Sequence, residues 1–185
     1  MARRAVIVDV VRSPFGRVSG ALAPLHPVDL YARVLQALVA RTGVDPALVE
    51  DVITGCGLQV GEQAANIGRR AVLAAGFPES VPAVTLDRKC GSAQQAMDFA
   101  AQGVIAGAYD MVIAGGVEMM SRVEMKSNRM GRDNLGPMLH ARYPDGPDHR
   151  RRGRHADRGG VRGGAAGPDA ACRRFRASPS PATTR

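Results

Sequence analysis

Short β-branched apolar runs alternate along this chain with longer stretches of helical spacing. Ala5–Val11 (AVIVDVV) predicts a buried strand. Arg12-Ser13-Pro14-Phe15-Gly16 breaks it, and Gly20 and Pro24 continue a loop. Pro27 suits the first turn of a helix running to Arg41, with Leu30, Val34 and Leu38 along one side, Leu35 beside them and Gly43 as the stop. Asp45-Pro46 reads as the cap and first residue of a short helix to Glu50. Then come a strand at Asp51–Leu58, an Ala-rich helix at Gln63–Ala75 stopped by Gly76, and a short strand at Ala83–Asp87. A second Ala-rich helix, Gly91–Ala106, is closed by Gly107, and a strand at Asp110–Ala114 is ended by Gly115-Gly116. Alternation up to residue 116 predicts an α/β fold with parallel strands joined by crossovers. Val117–Gly146 loses the pattern and reads as an extended functional loop or an inserted subdomain.

Charge divides the chain again. The formal charge is +8 over 185 residues, but residues 147–185 hold 10 Arg, no Lys and 3 Asp, and so carry +7. Residues 1–146 are nearly neutral, at +1. The tail is rich in Ala, Arg, Gly and Pro, with Val161 its only aliphatic residue larger than Ala. It lacks the apolar surface to offset the entropy of ordering, so disorder is expected there. Its composition also fits GC-rich coding sequence read in a shifted frame. Three segments follow: a core over 1–116, a loop region over 117–146 and the tail over 147–185.

These features narrow the function classes. Arg150-Arg151-Arg152-Gly153-Arg154 can meet phosphates, but Phe175 is the tail's lone aromatic, so specific nucleic-acid binding is weakly supported. His149 and His155 make a poor metal site and no metal is expected. No apolar run reaches the roughly 18 residues of a membrane span, so no membrane association is expected. Cys56, Cys90 and Cys172 show no paired spacing, which suits a reducing, cytoplasmic setting.

The most chemistry lies in Leu86-Asp87-Arg88-Lys89-Cys90-Gly91-Ser92, where a strand ends and a helix starts. A thiol there faces unpaired N–H groups and the positive end of the helix dipole, which favour thiolate, the nucleophilic form. The same N–H groups can hold the oxyanion of a tetrahedral intermediate. Arg88 and Lys89 add positive potential if their side chains face the thiol. The alternative is that Cys90 is a small buried hydrophobe. Cys56, between two glycines, reads as core. Asp87 and Glu118 read as acid/base groups or, more simply, as polar residues bonding locally at strand ends. Met119, Met120, Met125, Met130 and Met138 suit an acyl pocket or ordinary packing.

Four motifs, in order and in register, carry a family resemblance: Arg12-Ser13-Pro14-Phe15-Gly16, Gly61-Glu62-Gln63-Ala64-Ala65-Asn66-Ile67-Gly68-Arg69, Cys90-Gly91-Ser92-Ala93-Gln94-Gln95-Ala96 and Gly115-Gly116-Val117-Glu118-Met119-Met120-Ser121. From about residue 3 to 146 the chain resembles the N-terminal half of a thiolase, an acyl-CoA acyltransferase of the acetyl-CoA acyltransferase and acetyltransferase type. The resemblance implies a layered αβαβα fold built of two similar halves, usually as a dimer or tetramer. It implies that Cys90 becomes acylated in two-step covalent catalysis, with coenzyme A or acyl-CoA as substrate and no covalently bound cofactor. It also implies a place in fatty-acid metabolism such as β-oxidation, and loop residues from 117 onward that cover the site and help bind coenzyme A.

The family's Gly-His-Pro histidine, its Cys-x-Gly-Gly-Gly cysteine and its Asn-Glu-Ala-Phe segment belong to the C-terminal half and are not in this sequence. His26-Pro27 follows Leu25, and Cys172 is followed by Arg-Arg-Phe. A truncated or frameshifted thiolase with little turnover of its own is therefore expected. Homo-oligomerisation, or association with a full-length thiolase as a non-enzymatic incomplete subunit, is the alternative, with a basic-tailed nucleic-acid binder behind it.

Overall fold

The structure is a computed structural model and describes residues 3–144. Helix α1 spans Pro27–Thr42, strand β1 Asp51–Gly55, helix α2 Ile67–Ala74, strand β2 Ala83–Leu86, helix α3 Ser92–Ala106 and strand β3 Val112–Gly116. Single 3-10 turns lie at Pro46–Leu48, Gly61–Gln63 and Ser127–Arg129. The chain divides after Asp133 into two units. The first contains all these elements. The second, in its described part, contains a short helix, α4, at Gly136–Arg142.

The three strands form a parallel sheet in the order β2-β1-β3, with Val52 opposite Ala83 on one side and Ile113 on the other. Side chains alternate across a strand, so the central strand serves both faces. Val52 and Thr54 face α1 and α2: Val52 packs with Leu35, Ile67 and Val72, and the Thr54 hydroxyl donates to the Tyr31 oxygen at 3.3 Å. Ile53 and Gly55 face α3, where Ile53 packs on Ala96 and Ala100. The result is three layers, with two helices, a sheet and then one helix. Burial of Leu35, Val52, Ile67 and Val72 contributes about 1.5–3 kcal/mol each to folding.

The helix ends follow local chemistry. His26 caps α1, its Nδ1 accepting from the Val28 amide at 3.3 Å, with Pro27 in the first turn. Gly43, at φ 68°, closes the helix by donating to the Val39 carbonyl. The helix expected from Gln63 starts only at Ile67, because Asn66 adopts φ 59° and caps the chain there. Its Oδ1 accepts from the Arg69 amide and the Thr85 hydroxyl, and its Nδ2 donates to the Ala83 carbonyl. That arrangement ties α2 to β2.

The strand expected over Asp51–Leu58 ends at Gly55, where the chain turns away from the sheet, and two further expectations need correction. Ala5–Val11 is not a buried strand: it pairs with none of the three strands, and Val6, Ile7 and Val8 are 74%, 64% and 76% exposed. A cleft of about 630 Å³ is lined by residues 9–18, by Leu30, Val34 and Leu38 of α1, and by the Ile113–Ser121 stretch. The apolar pattern is real, but no described strand supplies its ladder. The last strand is also shifted from Asp110–Ala114 to Val112–Gly116. Its register against β1 draws Gly115 and Gly116 into the ladder and leaves Asp110 outside. The tail over 147–185, with Cys172, His149, His155 and the Arg cluster, lies outside the described residues.

Candidate active site around Cys90

Cys90 sits where β2 gives way to α3, beside the carboxyl ends of the parallel strands. Its side chain is exposed, which removes the buried-hydrophobe alternative, whereas Cys56 is buried in the core as expected. Two glycines let α3 begin so close to the sheet. A Cβ on Gly55 would lie 2.3 Å from the Ala93 nitrogen, and one on Gly116 would lie 2.6 Å from the Gly55 carbonyl oxygen and 3.0 Å from the Ala93 Cβ. Ala96 and Ala100, on the helix face that meets the sheet, allow the same close approach further along.

The turn carrying Cys90 is held from within. Ser92 is buried; its hydroxyl accepts from the Arg88 amide at 2.8 Å and donates to the Lys89 carbonyl at 2.6 Å. The Gly91 and Ser92 amides donate to the carbonyls of Arg88 and Lys89. Lys89 adopts φ 51°, a conformation non-glycine residues hold only when their surroundings fix it. The Asp87 carboxylate supplies part of that fixing by accepting from the Lys89 amide at 2.7 Å and pairing with its ammonium group. Partial burial works to raise the Asp87 carboxyl, but the Lys89 contacts outweigh it and hold the group below the usual carboxylate range. Lys89 is thus engaged by Asp87 and the Gly57 carbonyl, and Arg88 by Gln95.

A second network braces the turn from the β1 side. Both oxygens of Glu118 are bonded, one by the Gly57 amide at 2.8 Å and the other by Gln63 Nε2 at 2.6 Å. Gln63 is buried; it also donates to the Leu58 carbonyl and the Cys56 sulfur and accepts from the Met119 amide at 2.6 Å. Burial first, and then the Glu118 charge, push the Cys56 thiol up to about 11, so it stays a neutral core thiol. Asp87 makes the local bonds that the simpler sequence reading assigned it, whereas Glu118 bonds Gly57 and Gln63, which are distant in sequence. Of the methionines in the first unit, Met119 is buried, and Met120, Met125 and Met130 are exposed.

Gln63, Gly57 and Ser92 went unread as contributors to this site. The signal for Ser92 was present, since a small hydroxyl residue beside a turn cysteine at a helix start is placed to bond the turn's own backbone. Gln63 and Gly57 meet Glu118 only through the fold. His26 lies with Glu62 and Arg122: its Nε2 is 3.8 Å from the Glu62 carboxylate, which Arg122 also pairs.

A parallel three-layer α/β unit with an exposed thiol in a braced strand-to-helix turn defines the class structurally. The family description "Thiolase, N-terminal domain" matches residues 5–143, and the chain belongs to the thiolase family. It is 51% identical over 123 residues to a steroid 3-ketoacyl-CoA thiolase of Mycobacterium tuberculosis, covering 66% of this chain and 30% of that protein. A β-ketoadipyl-CoA thiolase of Acinetobacter baylyi is 48% identical over 121 residues, covering 65% of this chain and 30% of that protein. The crystal structure of the Bacillus anthracis acetyl-CoA acetyltransferase superposes with a TM-score of 0.62 at 45% identity, covering 65% of this chain and 30% of that one. The chain thus spans about 30% of the length of these relatives. No helix among the described residues is long and apolar enough to cross a membrane.

Proposed function

We propose that this chain carries the acyl-accepting part of a thiolase-type acyl-CoA acyltransferase site, with Cys90 as nucleophile. The observation that carries the reading is the exposed Cys90 thiol in the braced turn before α3, within a chain of this family. The thiolate attacks an acyl-CoA carbonyl; from acetyl-CoA, a new C–S bond forms to Cys90 and the coenzyme A thiolate leaves. Thiol and leaving group are both thiols, so the exchange is nearly balanced in energy. The oxyanion needs donors other than the Gly91 and Ser92 amides, which the turn itself uses. Coenzyme A or an acyl-CoA is the substrate, in thiolytic cleavage of a 3-ketoacyl-CoA or in condensation of acetyl-CoA, in a reducing cytoplasmic setting.

Acylation of the nucleophile is the step that this chain's own residues serve. Intact-mass analysis after incubation with acetoacetyl-CoA tests the reading. A single acyl adduct, lost in Cys90→Ser, is expected. Absence of an adduct from the folded parent contradicts it.

A second reading, association with a full-length thiolase or another copy, is favoured by one observation. Helix α3 leaves Met97, Phe99 and Ile105 exposed, and Val84 of β2 is exposed as well.

A further inference from the structure

Taking Cys90 as the acyl acceptor, we propose that Glu118, together with Gln63, is a positioning residue for the Cys90 turn, acting through Gly57. The inference rests on the geometry on both sides of Gly57. On one side, Glu118 accepts the Gly57 amide, and Gln63 holds the other Glu118 oxygen while fixing the Leu58 carbonyl and the Met119 amide. On the other side, Gly57 lies flat against the residue preceding the nucleophile. A Cβ built on Gly57 would stand 3.5 Å from both the Cα and the carbonyl carbon of Lys89, and 3.2 Å from Glu118 Oε2. The Lys89 ammonium reaches back to the Gly57 carbonyl at 3.4 Å. Gly57 is therefore a spacer between a fixed carboxylate and the peptide that carries Cys90.

Lys89 needs such a wall. Its φ of 51° is uphill for a residue with a Cβ and persists only where neighbours define the backbone. Ser92 and Asp87 hold the turn from within, and Gly57 holds it from outside. Glu118 stands two residues past the end of β3, so its carboxylate ties β3 to the loop after β1, whose Gly57 carbonyl accepts from Lys89 Nζ in the turn after β2. The consequence is specific to acyl transfer. Attack on a carbonyl needs the thiol, the carbonyl and the oxyanion's donors in one fixed relation, because an oxyanion forms. Alkylation by iodoacetamide forms none and tolerates a displaced turn.

The test compares the rates of Cys90 acetylation by acetyl-CoA and of Cys90 alkylation by iodoacetamide, read by peptide mass spectrometry on the full chain. Two variants approach the seam differently. Glu118→Gln sets an amide N–H₂ against one of two donors, and Gly57→Ala keeps the carboxylate but crowds its Oε2 at 3.2 Å, with Lys89 in van der Waals contact behind it. In both, the acetylation-to-alkylation ratio is expected to fall by about ten- to a hundredfold. An unchanged ratio with only a lowered melting temperature shows a purely structural role and overturns the proposal, as does loss of the folded far-UV signature in both variants. A parent that alkylates at Cys90 but is not acetylated there overturns the acyl-acceptor reading itself, and the positioning role with it.

Discussion

Ser92 shows most directly how a single side chain shapes this site. Its buried hydroxyl both accepts and donates within the turn, fixing the two peptides that precede Cys90. Ser92→Ala takes the side-chain partner from the part-buried Arg88 amide and leaves the Lys89 carbonyl with the Ser92 amide alone, at a cost of about 1–3 kcal/mol. Chemical denaturation of parent and variant reads that loss, and acetylation of Cys90 slows in the same variant at temperatures where both are folded. Much at this scale was legible from the chain. Cys90 stood out because a strand pattern ends at Asp87 and a helical one begins at Gly91. The partners of Glu118 were not legible, because Gly57 and Gln63 lie 61 and 55 residues away and meet it only once β1 and β3 pair. Nor was the exposure of Cys90, which depends on what covers the turn rather than on the residues beside it.

Among the elements, those with matched start and stop signals fell close to where the pattern put them. Helix α1 has Pro27 and Gly43, and α3 has Gly107, at φ 80°. Elements whose ends depend on neighbours moved. Asn66 delays α2 because its side chain is drawn to Ala83 and Thr85 of β2, a tertiary contact that overrides helix propensity over Gln63–Ala65. Glycine content suggested that β3 stops at Ala114, yet Gly115 and Gly116 are the residues whose missing side chains admit Tyr31 and α3.

The connections are held by charge. Arg122 pairs both oxygens of Glu62 and donates to the Pro24 carbonyl at 3.4 Å, so the segment after β3 is strapped to the loop before α1. Arg122 holds the Glu62 carboxyl below its ordinary value of 4.5, with His26 adding to the effect. A carboxyl lowered on folding stabilises the fold above its unfolded value, and that contribution is lost as pH falls through the lower folded value. The melting temperature of Glu62→Gln is therefore expected to lie below that of the parent at neutral pH, and the gap to close as pH drops below about 4.5. A gap independent of pH counts against the strap. The group is solvent-exposed, so the effect is small and weakens with salt.

At the scale of the whole molecule, charge and fold separate along the chain. The excess positive charge belongs to residues 147–185, and the described α/β unit belongs to a nearly neutral stretch. The apolar run at Ala5–Val11 marks a segment with strand chemistry and no strand partner, beside the cleft that runs along β3. Such a pattern is readable in the sequence, but pairing is a property of what lies alongside it. A chain spanning about 30% of its relatives' length, with apolar side chains of Ala5–Val11 and α3 in solvent, is expected to self-associate.

The central claim is that Cys90 is the acyl acceptor, and competition between two reagents for that thiol tests it most directly. The full chain is incubated with acetyl-CoA, then labelled with iodoacetamide, digested, and each cysteine peptide quantified. A hydroxylamine-labile acetyl group on Cys90 that blocks its alkylation is expected, with Cys56 unmodified by either reagent in the folded protein. Equal acetylation of Cys90 and Cys172, or full alkylation of Cys90 after acetyl-CoA treatment, would contradict it.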